Sequence, residues 1–304
     1  MTGEGSNRQG WLKGTTDLGK RLINTQRIKS LLRRLWKNRD GRIGLIILLS
    51  LVAVAVYGQF FHPYNPSAPE FQVYLKPSLL HPFGTNSEGQ DLFSQFVYGT
   101  GQSLAVGFSV AAITMIIATL AGVAAGYYGS AIDNAIMRVV DVLLVIPGFP
   151  LLVILSAFFP PTIYTTVLIL SVLSWPFIAR LIRSQTLTLK NRAFVLASKV
   201  AGLGNLRIIV RDIVPNLLPI IFINAIFVVV GAVVAQAGLA FFGLGDISAI
   251  NWGTTLYWFE QDNAILARAW WWVLPPGLGI VLLGVGANLL SNGIHAITRP
   301  DGGK

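Results

Sequence analysis

Long apolar stretches recur along this chain, and polar stretches separate them. Five or six of them are long enough to cross the hydrocarbon core of a bilayer, which takes roughly 20 residues as a helix. Their apolar residues are continuous and do not alternate with a period of two, which favours helices over the strands of a barrel. We therefore predict an all-α polytopic membrane protein with six transmembrane helices, at Ile43–Phe61, Leu104–Ala125, Val139–Phe159, Ile163–Ile178, Leu217–Phe242 and Val273–Leu290. The fourth is expected to end at Trp175-Pro176, because proline interrupts helical hydrogen bonding.

The composition agrees with this pattern. Hydrophobic residues make up 53% of the 304 residues and charged residues 12%, whereas an ordinary soluble domain carries about 25% charged residues. The mean hydropathy is +0.63. Cysteine is absent from the sequence, which excludes a disulfide framework and thiol chemistry.

The positive charge is unevenly distributed and indicates an orientation. Residues 1–42 hold 11 of the 23 Lys and Arg and residues 179–216 hold seven, whereas the predicted outer loops 62–103 and 243–272 hold one each. Membrane proteins carry their excess of Lys and Arg on the cytoplasmic side. We therefore predict that both termini and residues 179–216 are cytoplasmic. The same rule explains the net charge of +10, for which nucleic-acid binding is a competing interpretation that the membrane pattern disfavours.

The pattern divides the chain into three parts. Residues 1–42 form a basic cytoplasmic tail, residues 43–298 a transmembrane domain and residues 299–304 a short cytoplasmic tail. Within the first tail, residues 20–39 have apolar residues at near-helical spacing on a basic background. This is typical of an amphipathic helix on the anionic leaflet, and a disordered basic tail is the alternative. Because no small-residue cleavage site follows the first apolar stretch, we expect it to be retained as a transmembrane helix.

The chain offers little chemistry of its own. Its three histidines, His62, His81 and His295, are far apart, so no metal site is predicted. Residues 14–20 match G-x-x-x-x-G-K, but Arg21 stands where a phosphate-binding loop needs Ser or Thr. The spans are nearly free of ionisable groups, which argues against proton or cation coupling within the chain. We predict that it is not an enzyme and that any transport draws its energy from elsewhere.

The segment from Phe194 to Asn216, called the elbow below, is strongly patterned for a loop. Small residues lead to Gly202 and Gly204, which allow one short helix to end abruptly and another to leave at an angle. Apolar residues then recur at helical spacing from Leu206 to Val214, with arginines on the other face. Such an elbow could fit a groove on a partner, or it could merely connect two spans. The residues alone leave both interpretations open.

The elbow resembles the coupling loop of the membrane subunits of bacterial ABC importers. The pattern of that family is roughly Glu-Ala-Ala, then a Gly four residues after the last Ala, then an Ile and a Pro towards the end. The matching residues here are Leu196-Ala197-Ser198, Gly202 and Ile213-Val214-Pro215. Leu196 stands where the family has Glu, so the resemblance does not support an ion pair from this position to the ATPase.

Further segments narrow the resemblance to the C-type permease subunit of the oligopeptide/dipeptide class. They are His81–Thr85 with Gly89 and Asp91, Ala125–Gly129 with Asp133 and Asp141, Leu239–Gly245, Asn251–Gly253, Pro275–Gly277 and Asn288–Leu290. The C-terminal end departs from the family pattern at Ser291-Asn292 and at His295-Ala296.

The resemblance implies partners and a mechanism. A second homologous permease subunit of the B type would complete the translocation path. Two cytoplasmic ABC ATPase subunits would bind ATP and Mg, and an extracytoplasmic substrate-binding protein would deliver the cargo. This chain would hold no cofactor, bind no nucleic acid and lie in the inner, cytoplasmic membrane among lipids. The residues expected to couple to the ATPase are Leu196, Ala197, Ser198, Lys199, Ala201, Gly202, Leu203 and Arg207.

The resemblance also implies the cargo, which we expect to be di- or oligopeptides. Oligosaccharides and nickel are the alternatives within the same machinery, and a stand-alone secondary transporter or a membrane-anchored scaffold are the alternatives outside it. Candidate residues of the translocation path are Asn224, Gln236 and Asn288, which could equally serve as hydrogen-bonding groups between helices. Trp252 is expected to face the entry path or the binding protein.

Overall fold

The computed structural model describes residues 33–298, which are helical without a β-sheet. After a helical turn at 33–37, the helices are α1 (Arg39–Phe60), α2 (Leu92–Tyr128), α3 (Ser130–Val145), α4 (Gly148–Phe158), α5 (Ile163–Leu189), α6 (Ala193–Val200), α7 (Asn205–Ile208), α8 (Val214–Phe241), α9 (Trp252–Gln261) and α10 (Leu274–Thr298). A π-helical turn, Ile209–Ile213, joins α7 to α8. The all-α prediction is confirmed for these residues. The amphipathic helix predicted at 20–39 lies largely outside them, as does the tail 299–304.

Five helical segments are long and apolar enough to cross a membrane. They are α1, α2, α5, the continuous run Asn205–Phe241 and the run Leu274–Ile297. Helices α3 and α4 would make a sixth crossing only as a pair, and the two are bent by 87° relative to each other. The described part of the chain therefore holds five or six candidate spans.

The predicted third span, Val139–Phe159, is wrong as one continuous helix. Helix α3 ends at Val145, Ile146 has extended backbone, and α4 begins after Pro147. A residue that precedes proline avoids the helical region, because the proline ring crowds its backbone. The Ile146-Pro147 pair therefore breaks an apolar run that hydropathy alone cannot divide.

The predicted end of the fourth span at Trp175-Pro176 is also wrong. Helix α5 continues through Pro176 to Leu189. Proline removes one backbone hydrogen bond, but neighbouring helices make this tolerable inside membrane bundles. Pro176 is among the buried residues of α5, so packing overrides the local stop signal.

Helix α2 lies at the centre of the bundle and packs against α1, α5 and α8. Its approach to α5 depends on a small residue, since a Cβ added at Gly122 would lie 2.6 Å from the carbonyl oxygen of Ala179. Membrane helices gain little hydrophobic energy from meeting one another, so close contacts of this kind hold them together.

The bundle has two ends of different charge. At one end, called the elbow end, Tyr127 meets Asn205, and Gly41 near the start of α1 lies against Gly293 near the end of α10. Its basic residues include Lys190, Arg192, Lys199, Arg207 and Arg211, and the acids of the opposite end are Glu70, Glu88, Asp91, Asp246, Glu260 and Asp262. The runs of 37 residues, α2 and Asn205–Phe241, reach about 55 Å at about 1.5 Å per residue, so they extend beyond a core of roughly 30 Å.

Candidate functional site

The first arm of the elbow is α6, and it ends in a tight turn at Gly202. The amide of Gly202 donates to the carbonyl of Lys199 at 3.0 Å, and the amide of Leu203 donates to the carbonyl of Ser198 at 3.2 Å. These two bonds satisfy carbonyls that the end of a helix otherwise leaves unpaired. Gly202 has φ +76°, in the left-handed region that glycine enters without steric cost. The turn therefore fixes the direction in which the chain leaves α6.

The second arm runs from Asn205 without interruption into the membrane. Helix α7 passes through the π-helical turn Ile209–Ile213 into α8, whose first turn contains Pro215. Proline is acceptable there because the first amides of a helix lack helical partners. Ile208 and Ile213 are fully buried in a cluster with Val195 of α6. Both arms are thus anchored by apolar side chains, and a shift of the elbow would be transmitted to α8.

The outward face of the elbow is apolar as well as basic. Val200 is 90% exposed, Leu206 72% and Leu196 46%. The cations Lys199 and Arg207 of the same segment are also exposed. Exposed aliphatic side chains that lie together at the protruding end of a bundle are typical of a surface that binds another protein. The exposed part of the elbow is therefore both apolar and positively charged.

The structure brings the predicted coupling residues together on this one feature. Leu196, Ala197, Lys199, Ala201, Gly202 and Arg207 are exposed, and Ser198 and Leu203 are half-buried. Leu196 offers an aliphatic side chain at the position where an acid is usual in the family. Contact of these residues with an ATPase stays a prediction.

The contacts that tie the elbow and the end of α5 to α2 are not evident from the sequence. The hydroxyl of Tyr127, in the last turn of α2, donates to Oδ1 of Asn205 at 3.0 Å. The Nζ of Lys199 lies over the Tyr127 ring, 5.4 Å from its centroid. The Nζ of Lys190 donates to the carbonyl of Gly126 at 3.0 Å. The signal was present, because Ala125–Gly129 stood out as a motif, but nothing in its spacing indicates a contact with residue 205.

Two ion pairs join α3 to α5 at the elbow end, and nothing in the sequence indicates which arginine binds which aspartate. Arg183 binds both carboxylate oxygens of Asp133, with Nη2 2.6 Å from Oδ2. Arg180 binds Asp141 through Nη2 and Oδ1. The Asp133 pair is largely enclosed, with 30% and 15% of the two side chains exposed, whereas the Asp141 pair is open, with 51% and 62% exposed.

Three of the candidate path residues, Asn224, Gln236 and Asn288, have different polar surroundings. Asn224 is half-buried and donates to the carbonyl of Ile220 in its own helix. Asn288 is exposed and accepts from Asn292 at 3.2 Å. Gln236 borders a small cleft of about 30 Å³ that also contains Gln102. Their part in a path stays a prediction.

Trp252 has a different environment from the one expected. Its side chain is 1% exposed, its Nε1 donates to Thr100 at 3.2 Å, and its amide donates to the hydroxyl of Ser103 at 3.1 Å. The ring is stacked on Phe96 with a centroid distance of 6.2 Å. These contacts join α9 to α2 and explain Trp252 as a packing residue. Its contact with the entry path or a binding protein stays a prediction.

The end opposite the elbow is built around a buried polar pair. Nδ1 of His81 lies 2.8 Å from Oδ1 of Asp91, and Oδ2 of Asp91 accepts the amide of Ser94 at the start of α2. Beside this pair a cleft of about 200 Å³ is lined by residues that include Glu88, Trp258 and Asp262. The described residues contain no cluster of three or more metal-ligating side chains.

Comparison with known proteins assigns the chain to a class. Residues 118–301 match the family model described as the binding-protein-dependent transport system inner membrane component. The chain therefore belongs to this family of transport permeases, as the elbow motif indicates.

A second match specifies the branch of the family. Residues 27–82 match the N-terminal transmembrane domain of oligopeptide transport permease C. The dipeptide transport system permease protein DppC of Bacillus subtilis is 35% identical, over 88% of this chain and 84% of its own length. The oligopeptide transport system permease protein OppC of Mycobacterium bovis is 35% identical, over 88% and 92%. A putative peptide transport system permease protein of Brucella abortus is 33% identical, over 88% and 90%. The resemblance to C-type peptide permeases is confirmed.

Proposed function

We propose that this chain is one of two permease subunits of an ATP-driven peptide importer, and that it receives the motion of cytoplasmic ATPase subunits through the elbow. The single observation that carries the proposal is the exposure of three aliphatic side chains of the elbow at the basic end of the bundle: Leu196 and Val200, one turn apart on α6, and Leu206 on the second arm. ATP and Mg are placed on the partner ATPases, because the segment 14–20, which matches G-x-x-x-x-G-K, is followed by Arg21 where a phosphate-binding loop needs Ser or Thr.

The proposed orientation follows from the charges of the two ends. The elbow end carries most of the Lys and Arg of residues 33–298, while the opposite end carries more acids than bases. The excess of positive charge lies on the cytoplasmic side of membrane proteins. The elbow, both termini and the partner ATPases therefore belong to the cytoplasm, and the cleft near Glu88 and Asp262 faces the extracytoplasmic binding protein.

The proposed cargo is di- or oligopeptides, since dipeptide and oligopeptide transport are the functions named for the relatives. Half of the translocation path would be formed by this chain and half by a homologous B-type permease. Oligosaccharides and nickel are alternative cargoes that the same subunit arrangement would carry.

The docking role is tested with a charge placed on the elbow. Val200→Glu puts a carboxylate on a side chain that is 90% exposed, so the fold is expected to be retained. In the assembled complex we expect co-purification of the ATPase subunits and ATP-dependent uptake of radiolabelled alanine peptides to fall at least about tenfold, because a desolvated unpaired charge disrupts an apolar contact.

The matched control is Leu79→Glu, which adds the same charge to an aliphatic residue that is fully exposed at the opposite end. It is expected to leave ATPase co-purification unchanged. Normal co-purification and uptake with Val200→Glu would contradict the docking role. Peptide transport by this chain alone in liposomes, without ATP, would instead identify a stand-alone transporter.

A further inference from the structure

Tyr127 contacts both arms of the elbow. Its hydroxyl donates to Oδ1 of Asn205 at the start of α7, and its ring lies under the ammonium group of Lys199 on α6. The two contacts come from opposite sides of the Gly202 turn. One side chain at the end of α2 therefore spans the joint between the arms.

The end of α2, which carries Tyr127, is tightly packed. Tyr127 is 8% exposed and belongs to the same buried cluster as Val195, Ile208 and Ile213, which are the anchors of the two arms. The adjacent carbonyl of Gly126 accepts a hydrogen bond from Lys190 at the end of α5. A Cβ added at Gly126 would lie 2.7 Å from Cβ of Thr186. Helices α2 and α5 are therefore in close contact where the tyrosine is attached.

The turn between the two arms of the elbow is loosely packed. This turn, at Ala201–Gly204, is exposed or half-buried, and an added Cβ at Gly202 or Gly204 would meet no atom within 4 Å. The angle between the arms is thus set by the turn, by the apolar anchors and by the two polar contacts of Tyr127. The hydrogen bond from Tyr127 to Asn205 adds a directional restraint between the elbow and α2, because a hydrogen bond weakens steeply away from linearity.

We propose that Tyr127 is a positioning residue for energy coupling. It fixes the angle of the elbow relative to α2, so that the elbow and the membrane helices move together when a bound partner moves. This inference rests on the proposed function, because it concerns the same docking surface. It adds that the coupling of transport to ATP use depends on a residue outside the elbow, at the end of a helix that also contacts α9 through Thr100 and Ser103.

The proposal is tested by removing the hydrogen bond from each side. Tyr127→Phe keeps the ring and its packing but loses the donor, and Asn205→Ala loses the acceptor. Asn205→Asp keeps an acceptor oxygen and suits the first turn of a helix, where negative charge is favourable. Tyr128→Phe, at a neighbouring tyrosine that is 47% exposed, is the matched control.

The first measurement is the number of radiolabelled alanine peptides transported per ATP hydrolysed by the reconstituted complex. We expect Tyr127→Phe and Asn205→Ala to lower this ratio by about 2- to 10-fold, the range to which one hydrogen bond corresponds. The double variant should fall no further than either single variant, because both remove the same bond. Asn205→Asp and Tyr128→Phe should keep the ratio.

The second measurement does not depend on the cargo. The chain has no cysteines, so spin labels can be attached at Leu120→Cys on α2 and Ala201→Cys on the elbow in the full chain in nanodiscs. The distribution of distances between the labels is expected to broaden with Tyr127→Phe and Asn205→Ala. It should stay unchanged with Asn205→Asp and Tyr128→Phe.

The outcomes separate this inference from the proposed function. If Val200→Glu abolishes uptake but Tyr127→Phe and Asn205→Ala keep the normal ratio and distance distribution, the positioning role is wrong and the docking role stands. A lower yield of complex with an unchanged ratio would mean that Tyr127 serves folding alone, and additive losses in the double variant would also overturn the positioning role. If Val200→Glu has no effect, both proposals fall.

Discussion

Arg183 of α5 donates hydrogen bonds from two nitrogens to the carboxylate of Asp133 of α3. Of the two ion pairs between these helices, this pair is the less exposed. Removing one partner leaves the other charge partly buried and unpaired. We expect Asp133→Ala or Arg183→Ala to cost about 1–3 kcal/mol of stability. Arg183→Lys should recover little of this stability, because a lysine ammonium group cannot form the bidentate hydrogen bonds of a guanidinium.

The open pair, Arg180 with Asp141, provides the comparison. Its side chains are more than half exposed, and exposed ion pairs contribute about 0–1 kcal/mol. Thermal unfolding of the purified chain in detergent should therefore show a clear decrease for Asp133→Ala and little for Asp141→Ala. Equal decreases for the two would mean that burial does not distinguish the pairs.

Gly202 is required for its backbone conformation, not for space. Gly202→Ala places a Cβ on a residue with φ +76°, which costs about 1–2 kcal/mol. Because Gly202 lies in the elbow, we expect faster hydrogen exchange at the amides of Gly202 and Leu203, together with reduced uptake. Gly204→Ala is the control: it has ordinary φ −66° and equally open surroundings, so normal exchange is expected there.

Gly122 is required for space, not for its backbone conformation. A Cβ there would lie 2.6 Å from a backbone oxygen and 2.8 Å from Cβ of Ile182, so Gly122→Ala forces α2 and α5 apart. We expect a loss of about 1–3 kcal/mol, the usual range for overpacking. Gly231→Ala, also within a helix but with nothing near its added Cβ, should be neutral or mildly stabilising. The midpoint of thermal unfolding in detergent distinguishes the two variants.

Trp252 should behave as a packing residue. Trp252→Phe keeps an aromatic ring against Phe96 but loses the bond to Thr100, so we expect a stability loss of about 1 kcal/mol with uptake largely kept. Trp252→Ala should cost about 3–5 kcal/mol. If Trp252→Phe abolishes uptake of labelled peptides while the unfolding midpoint is unchanged, the residue contacts cargo or a partner, as the sequence first suggested.

Much of this fold is predictable because the membrane imposes a simple rule: a continuous apolar run becomes a helix. The two failures, in the third and fourth predicted spans, each concern one proline within an apolar run. Pro147 bends its run by 87°, whereas Pro176 leaves α5 continuous. The difference depends on packing against neighbouring helices, which the local sequence does not contain.

The candidate site also has features that the sequence indicates and contacts that it does not. The turn at Gly202 and the exposed residues around it are local features, and the spacing of small and apolar residues was enough to indicate them. The contacts of Tyr127 with Asn205 and of Asp133 with Arg183 join residues 78 and 50 positions apart. Such contacts depend on how α2, α3 and α5 are arranged, and one sequence does not determine this.

The bend between α3 and α4 has a consequence for newly synthesised copies of the protein. Among their residues only Val140 of α3 and Leu152 of α4 are buried, so this segment finds little support within its own chain. In the proposed importer, a newly made copy would expose this broken, poorly packed crossing to the lipid until the second permease subunit covers it. Orphaned chains would then be recognisable to membrane quality-control proteases by this segment, and assembly would hide it.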